Sequence, residues 1–64
     1  MPLYAIKFTK KPRKDKYFKY DHDFGTWYTV STLEEAEKLS FEGAIEVNQL
    51  FLKKGYPCEI VKGW

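Results

Sequence analysis

The sequence predicts an α+β fold: a three- to four-stranded, mostly antiparallel sheet packed on one main helix, in the order β-β-β-(short α)-α-β. Three observations predict it. Short alternating runs rich in aromatic and β-branched residues stand near both ends of the chain. One stretch, 41–53, carries helical periodicity. Gly, Pro, Asp and Ser punctuate the joins between them.

The first strand is expected over Leu3–Thr9, where Tyr4, Ile6 and Phe8 alternate with Ala5, Lys7 and Thr9. Pro12 lacks an N–H and marks Lys10–Lys14 as a loop. Lys16–Tyr20 reads as the second strand, with Phe18 and Tyr20 on one face, joined to the first as a hairpin. Asp21-His22-Asp23-Phe24-Gly25-Thr26 is turn chemistry. Trp27–Val30 is the third strand. Thr32-Leu33-Glu34-Glu35 has the form of a capping box, predicting a helix of about two turns with Leu33, Ala36 and Leu39 inward. Ser40 caps the main helix, Phe41–Lys53, and Gly55 supplies the left-handed residue beyond its end. Phe41, Ala44, Ile45, Val47, Phe51 and Leu52 form its apolar arc, broader than the ~100° of an ordinary core-facing stripe, with Leu50 outside it. Tyr56–Lys62 is the last strand, Cys58 and Ile60 on one face. It is expected beside the first strand and parallel to the third, after a right-handed crossover.

The chain has 64 residues, enough for one domain. A chain this short buries only about 60% of its unfolded surface, and about 0.05–0.15 kcal/mol per residue gives it a stability of a few kcal/mol. Small domains are commonly reinforced by disulfides, metal or a second subunit. Cys58 is the single cysteine, which bars an internal disulfide. With His22 it makes too small a soft-ligand set for structural zinc, so no metal or other cofactor is expected. The remaining supports are a dense aromatic core, drawn from the 19% of residues that are aromatic, and self-association as a homodimer. No signal peptide and no apolar run near the ~20 residues of a membrane span is read, so no membrane partner is expected. A lone cysteine suits a reducing compartment, and the expected location is cytoplasmic.

Net charge is +2, but seven of the eleven basic residues fall between Lys7 and Lys19, whereas Glu34, Glu35, Glu37, Glu42 and Glu46 crowd the middle. Two electrostatic faces follow. Asp21-His22-Asp23 resembles an acid–base or metal cluster in composition, but neighbouring turn residues do not converge on one centre, and the sequence offers no second histidine. Cys58 on an apolar strand face reads as a small hydrophobe rather than a nucleophile. The glycines at 25, 43, 55 and 63 are scattered and form no phosphate loop. No catalytic constellation is read, and a non-enzymatic protein is expected.

Two binding functions remain. Trp27, Tyr28, Leu50 and Phe51 belong to an apolar surplus beyond what one sheet–helix interface consumes, and are the expected protein contacts. The alternative is nucleic-acid binding by the basic hairpin, with Lys10, Lys11, Arg13, Lys14, Lys16 and Lys19 neutralising phosphates. The same lysines would also protect a hairpin edge from aggregation.

The succession Tyr4-Ala5-Ile6-Lys7-Phe8, Trp27-Tyr28-Thr29, Leu33-Glu34-Glu35-Ala36-Glu37-Lys38-Leu39, Ser40-Phe41-Glu42-Gly43-Ala44 and Glu59-Ile60-Val61 resembles small phage and mobile-element accessory proteins. Gly43 and the basic stretch Lys10–Lys16 depart from that pattern. The resemblance implies a viral protein that binds and inhibits a host defence protein, as a homodimer, in the host cytoplasm.

Overall fold

A computed structural model describes residues 2–64. Strands β1 (Tyr4–Phe8), β2 (Tyr17–Asp21), β3 (Thr26–Val30) and β4 (Cys58–Lys62) form one sheet in the order β3-β2-β1-β4, with every pairing antiparallel. A single 3-10 turn, Leu33–Glu35, and helix α1 (Phe41–Lys53) lie between β3 and β4. The α+β class, the meander of the first three strands and the place of β4 beside β1 are as expected. The direction of β4 is not: it runs opposite to β3. The chain crosses the sheet's length twice between them, once in the extended segment 36–40 and once in α1. A helix alone would have delivered a parallel strand. The crossover-handedness rule, which governs parallel connections, does not apply here.

The extra pass has a defined seat. β1 and β2 share one register pair, Lys7↔Tyr17, close to their connecting loop. Beyond it they diverge, and residues Ala36–Leu39 fill the gap. The Leu39 N–H donates to the Tyr4 carbonyl at 2.9 Å, and the Tyr4 N–H to the Leu39 carbonyl at 2.7 Å. Across the gap, the Glu37 N–H donates to the Phe18 carbonyl at 2.9 Å, and Glu37 Oε1 accepts the Tyr20 N–H at 3.1 Å. Four backbone groups that two splayed strands would leave unpaired are thereby satisfied.

This segment also explains why the two-turn helix is absent. Thr32 does not cap: its hydroxyl donates to Glu35 Oε1 at 2.9 Å, and its oxygen accepts no backbone N–H. The pull of Glu37 and Leu39 into the sheet ends the turn after Glu35. Ala36 is buried and Leu39 packs on the core, as read, but from extended backbone.

Helix α1 keeps the expected bounds. Ser40 Oγ accepts the Gly43 N–H at 3.1 Å. At the other end, the Gly55 N–H reaches the Leu52 carbonyl and the Tyr56 N–H the Phe51 carbonyl, with Gly55 at φ +85°. That is a Schellman closure, and the accompanying apolar contact is the Phe51–Tyr56 ring pair at 6.1 Å. The buried stripe is narrower than the sequence arc. Ala44, Val47 and Phe51 face the core, whereas Phe41 and Leu52 are half exposed, at 52% and 50%. The reason is placement: α1 lies over β1 and β4 and meets β2 and β3 through the Phe51 ring.

Phe51 is the hub of the core. Its ring lies 5.1 Å from Phe8, 5.4 Å from Phe18 and 4.8 Å from Trp27, each edge-on. Ring pairs in such geometries add to the burial term. Removing the ring costs about 3–5 kcal/mol, against a total of about 3–10 kcal/mol for a chain this size. Phe51→Ala is therefore expected to abolish cooperative thermal unfolding, whereas Leu52→Ala, on the exposed side, changes stability by less than about 1 kcal/mol. Calorimetry or far-UV melting checks both. Gly55→Ala is expected to cost about 1–2 kcal/mol in urea unfolding. No atom lies within 4 Å of the added methyl group, so the penalty is conformational alone.

Candidate functional site: the open β3 edge and its groove

Because α1 sits toward β4, the face of β2 and β3 on the helix side is only partly covered. An apolar groove of about 220 Å³ runs there between Phe18, Tyr20 and Trp27 on the sheet and Val47 and Leu50 on the helix, with Phe51 and Lys54 also lining it. Three of the four residues expected to make protein contacts thus meet in one place. Their roles differ. Leu50 is a rim residue, 51% exposed; Trp27 is a half-buried wall; Phe51, at 2%, belongs to the core and offers no free surface of its own. Tyr28 points to the opposite face of the sheet, beside Lys19. Phe18, Tyr20 and Val47 were not among the expected contacts. The alternation of Phe18 and Tyr20 placed them on one face, but how much of that face the helix covers depends on tertiary placement.

β3 forms one edge of the sheet. Its free backbone groups follow from β2. The Phe18 carbonyl and the Tyr20 N–H turn toward Glu37, away from β3. In an antiparallel ladder, residues opposite such positions also turn outward. Thr29 stands opposite Phe18, and Trp27 opposite Tyr20. The N–H and C=O groups of Trp27 and Thr29 therefore line the free edge. Thr26-Trp27-Tyr28-Thr29-Val30 carries no charge, proline or glycine, so none of the usual protections against strand pairing stands within it. The other edge, β4, follows Pro57 and contains Glu59 and Lys62.

The six expected nucleic-acid residues divide. Lys10, Lys11 and Lys14 stand exposed on the β1–β2 loop, with Arg13 half-buried among them. Lys16 donates to Ser31 Oγ at 2.9 Å, and Lys19 lies 3.8 Å from Glu37 Oε1. Lys53 and Lys54, at the end of α1, lie on the loop's side of the molecule.

The other chemical candidates are structural in place. Asp21 Oδ1 accepts the N–H groups of Asp23 and Phe24, forming the β2–β3 turn. His22 stacks edge-on against Tyr20 and lies 3.7 Å from Glu37 Oε2. Among the described residues, no three of His, Cys, Asp and Glu converge on one metal position. Cys58 pairs with Phe8, at the opposite end of the sheet from His22. Asn48 Nδ2 donates to the Cys58 carbonyl at 3.1 Å and to its sulfur at 3.3 Å, a helix-to-strand tie the sequence did not signal. Among the described residues, no helix is long and apolar enough to cross a membrane. No protein-family model, curated protein or solved structure matches the chain.

Burial pushes the Cys58 thiol above its ordinary 9.0, and the Asn48 hydrogen bond partly opposes that. The folded state thus holds a proton that the unfolded chain releases first. The contribution to stability is complete below 9.0 and fades as pH rises through the higher folded value. Slower reaction with a disulfide reagent in the folded protein than in the urea-unfolded chain is expected at mildly alkaline pH. Equal rates would show a thiol that folding leaves unprotected.

Proposed function

We propose that this protein is a non-enzymatic protein-binding module that works by strand addition at β3, and that the strand it takes is β3 of a second copy. The observation that carries the reading is the uncharged edge at Trp27 and Thr29, lying along an open apolar groove. Backbone pairing supplies affinity in such sites, and alternate side chains supply selectivity. An antiparallel two-fold centred on Tyr28 sets Trp27 opposite Thr29 of the second copy. Each such pair exchanges two hydrogen bonds. With no charge in the strand, self-pairing places no like charges opposite one another. A second subunit also adds to the stability of so small a core. The resemblance to small phage accessory proteins supports the further proposal that the dimer acts on a host protein as an inhibitor.

Thr29→Pro tests the interface. It removes an N–H that the domain's own ladder does not use, and proline is tolerated at such edge positions. Light scattering is expected to give a dimeric mass for the wild type and for Thr29→Val, and a monomeric mass for Thr29→Pro with its thermal transition retained. A wild-type monomer across the accessible concentration range, or a Thr29→Pro dimer, would contradict the reading.

A further inference from the structure

At the loop end of the molecule, a second cleft, of about 200 Å³, opens between the β1–β2 loop and the turn after α1. Lys10, Lys11 and Arg13 line one side, and Tyr56 lies across from them. The Arg13 guanidinium carbon lies 4.7 Å from the Tyr56 ring centroid and 5.4 Å from that of Trp27. The backbone of Arg13 is tied as well, its N–H donating to the Lys10 carbonyl and its carbonyl accepting the Lys16 N–H. Two rings thus flank the guanidinium, and two backbone bonds fix the residue within the loop.

What the guanidinium lacks is an acceptor. Among the described residues, no side-chain hydrogen bond or ion pair engages it. The one acidic residue in the loop, Asp15, lies 3.7 Å from Lys7 Nζ instead. A guanidinium held over ring faces keeps its N–H donors for oxygen acceptors, and such a fork takes two oxygens of one oxyanion. Exposed Lys10, Lys11 and Lys14 add charge around it without a competing carboxylate.

We propose that this cleft is a phosphate-binding subsite, with the Arg13 fork on the phosphate oxygens and Lys10 and Lys11 as flanking charges. Phosphate is favoured over carboxylate because three cationic residues, Lys10, Lys11 and Arg13, line one cleft, which suits a group with more than one negative charge or a chain of them. The chemistry is shared by a free phosphorylated molecule and by the backbone of a nucleic acid. The proposal is independent of β3 pairing: Arg13 is not an edge residue, and Thr29→Pro leaves the cleft intact.

Arg13 is the single arginine, so its Nε–H gives one assignable NMR signal. Titration with inorganic pyrophosphate and with an oligothymidylate is expected to shift that signal saturably, while poly-glutamate of matched charge leaves it nearly in place. Arg13→Lys keeps the charge but loses the fork, and is expected to weaken binding about tenfold or more. Lys11→Gln, at an exposed position, weakens it without altering the melting temperature. Much tighter oligothymidylate binding with steep salt dependence assigns the subsite to nucleic-acid backbone; comparable affinity for both probes assigns it to a free phosphate ligand. No shift with either phosphate probe, an equal shift with poly-glutamate, or wild-type affinity in both Arg13→Lys and Lys11→Gln would overturn the proposal.

Discussion

The structure depends on the insertion of residues Ala36–Leu39 between β1 and β2. Two adjacent strands of a hairpin ordinarily pair along their length, since an unpaired buried N–H or C=O is costly. Here the hairpin stays closed only near Lys7 and Tyr17. The returning chain supplies the missing partners through Leu39 on Tyr4 and through both the backbone and the carboxylate of Glu37 on β2. Glu37 is well suited to the task, because one residue offers a donor to Phe18 and an acceptor to Tyr20. Its Oε1 also lies 3.8 Å from Lys19 Nζ.

The rest of the molecule follows from that insertion. A chain already returned along the sheet can begin α1 at the Tyr4 end and run back over β1 and β4. Phe51 then arrives where it can touch Phe8, Phe18 and Trp27 at once. The helix-side surface of β2 and β3 is left to that one ring, and the groove is the space beside it. The end of α1 brings Tyr56 under Arg13, so the basic cleft and the apolar groove are separate products of one helix placement, with Trp27 standing between them. The lysines of the loop and of the helix end gather on one side, while Asp21, Asp23 and Glu42 lie toward the other.

Much of this was legible in the residues. Alternation gave the four strands to within a residue or two, Ser40 and Gly55 fixed both ends of α1, and the Asp21–Gly25 turn declared itself. Local chemistry dominates in each case. What was not legible depended on long-range pairing. The Thr32–Glu35 pattern signals a cap, but the pull of Glu37 and Leu39 into the sheet outweighs it, and with it goes the inferred direction of β4. The width of the buried helix stripe was overread for a related reason: Phe41 and Leu52 are as apolar as core residues, and only the lateral position of α1 leaves them half exposed. At the groove, Trp27 and Leu50 are residues whose excess over core needs is visible in the sequence. Tyr28 and Phe51 were grouped with them because sequence gives the facing of a residue along a strand or helix but not which layer covers it. In the sequence Arg13 is one basic charge among six; its position over two rings depends on the fold.

Amide hydrogen exchange combined with backbone NOEs tests the insertion most directly. Slow exchange at the Tyr4, Tyr20, Glu37 and Leu39 amides is expected, together with a cross-strand NOE between Tyr4 and Leu39. Fast exchange at Glu37 and Leu39, with cross-strand NOEs joining β1 to β2 along their whole length, would mean the hairpin is closed and the helix placement derived from its opening is wrong.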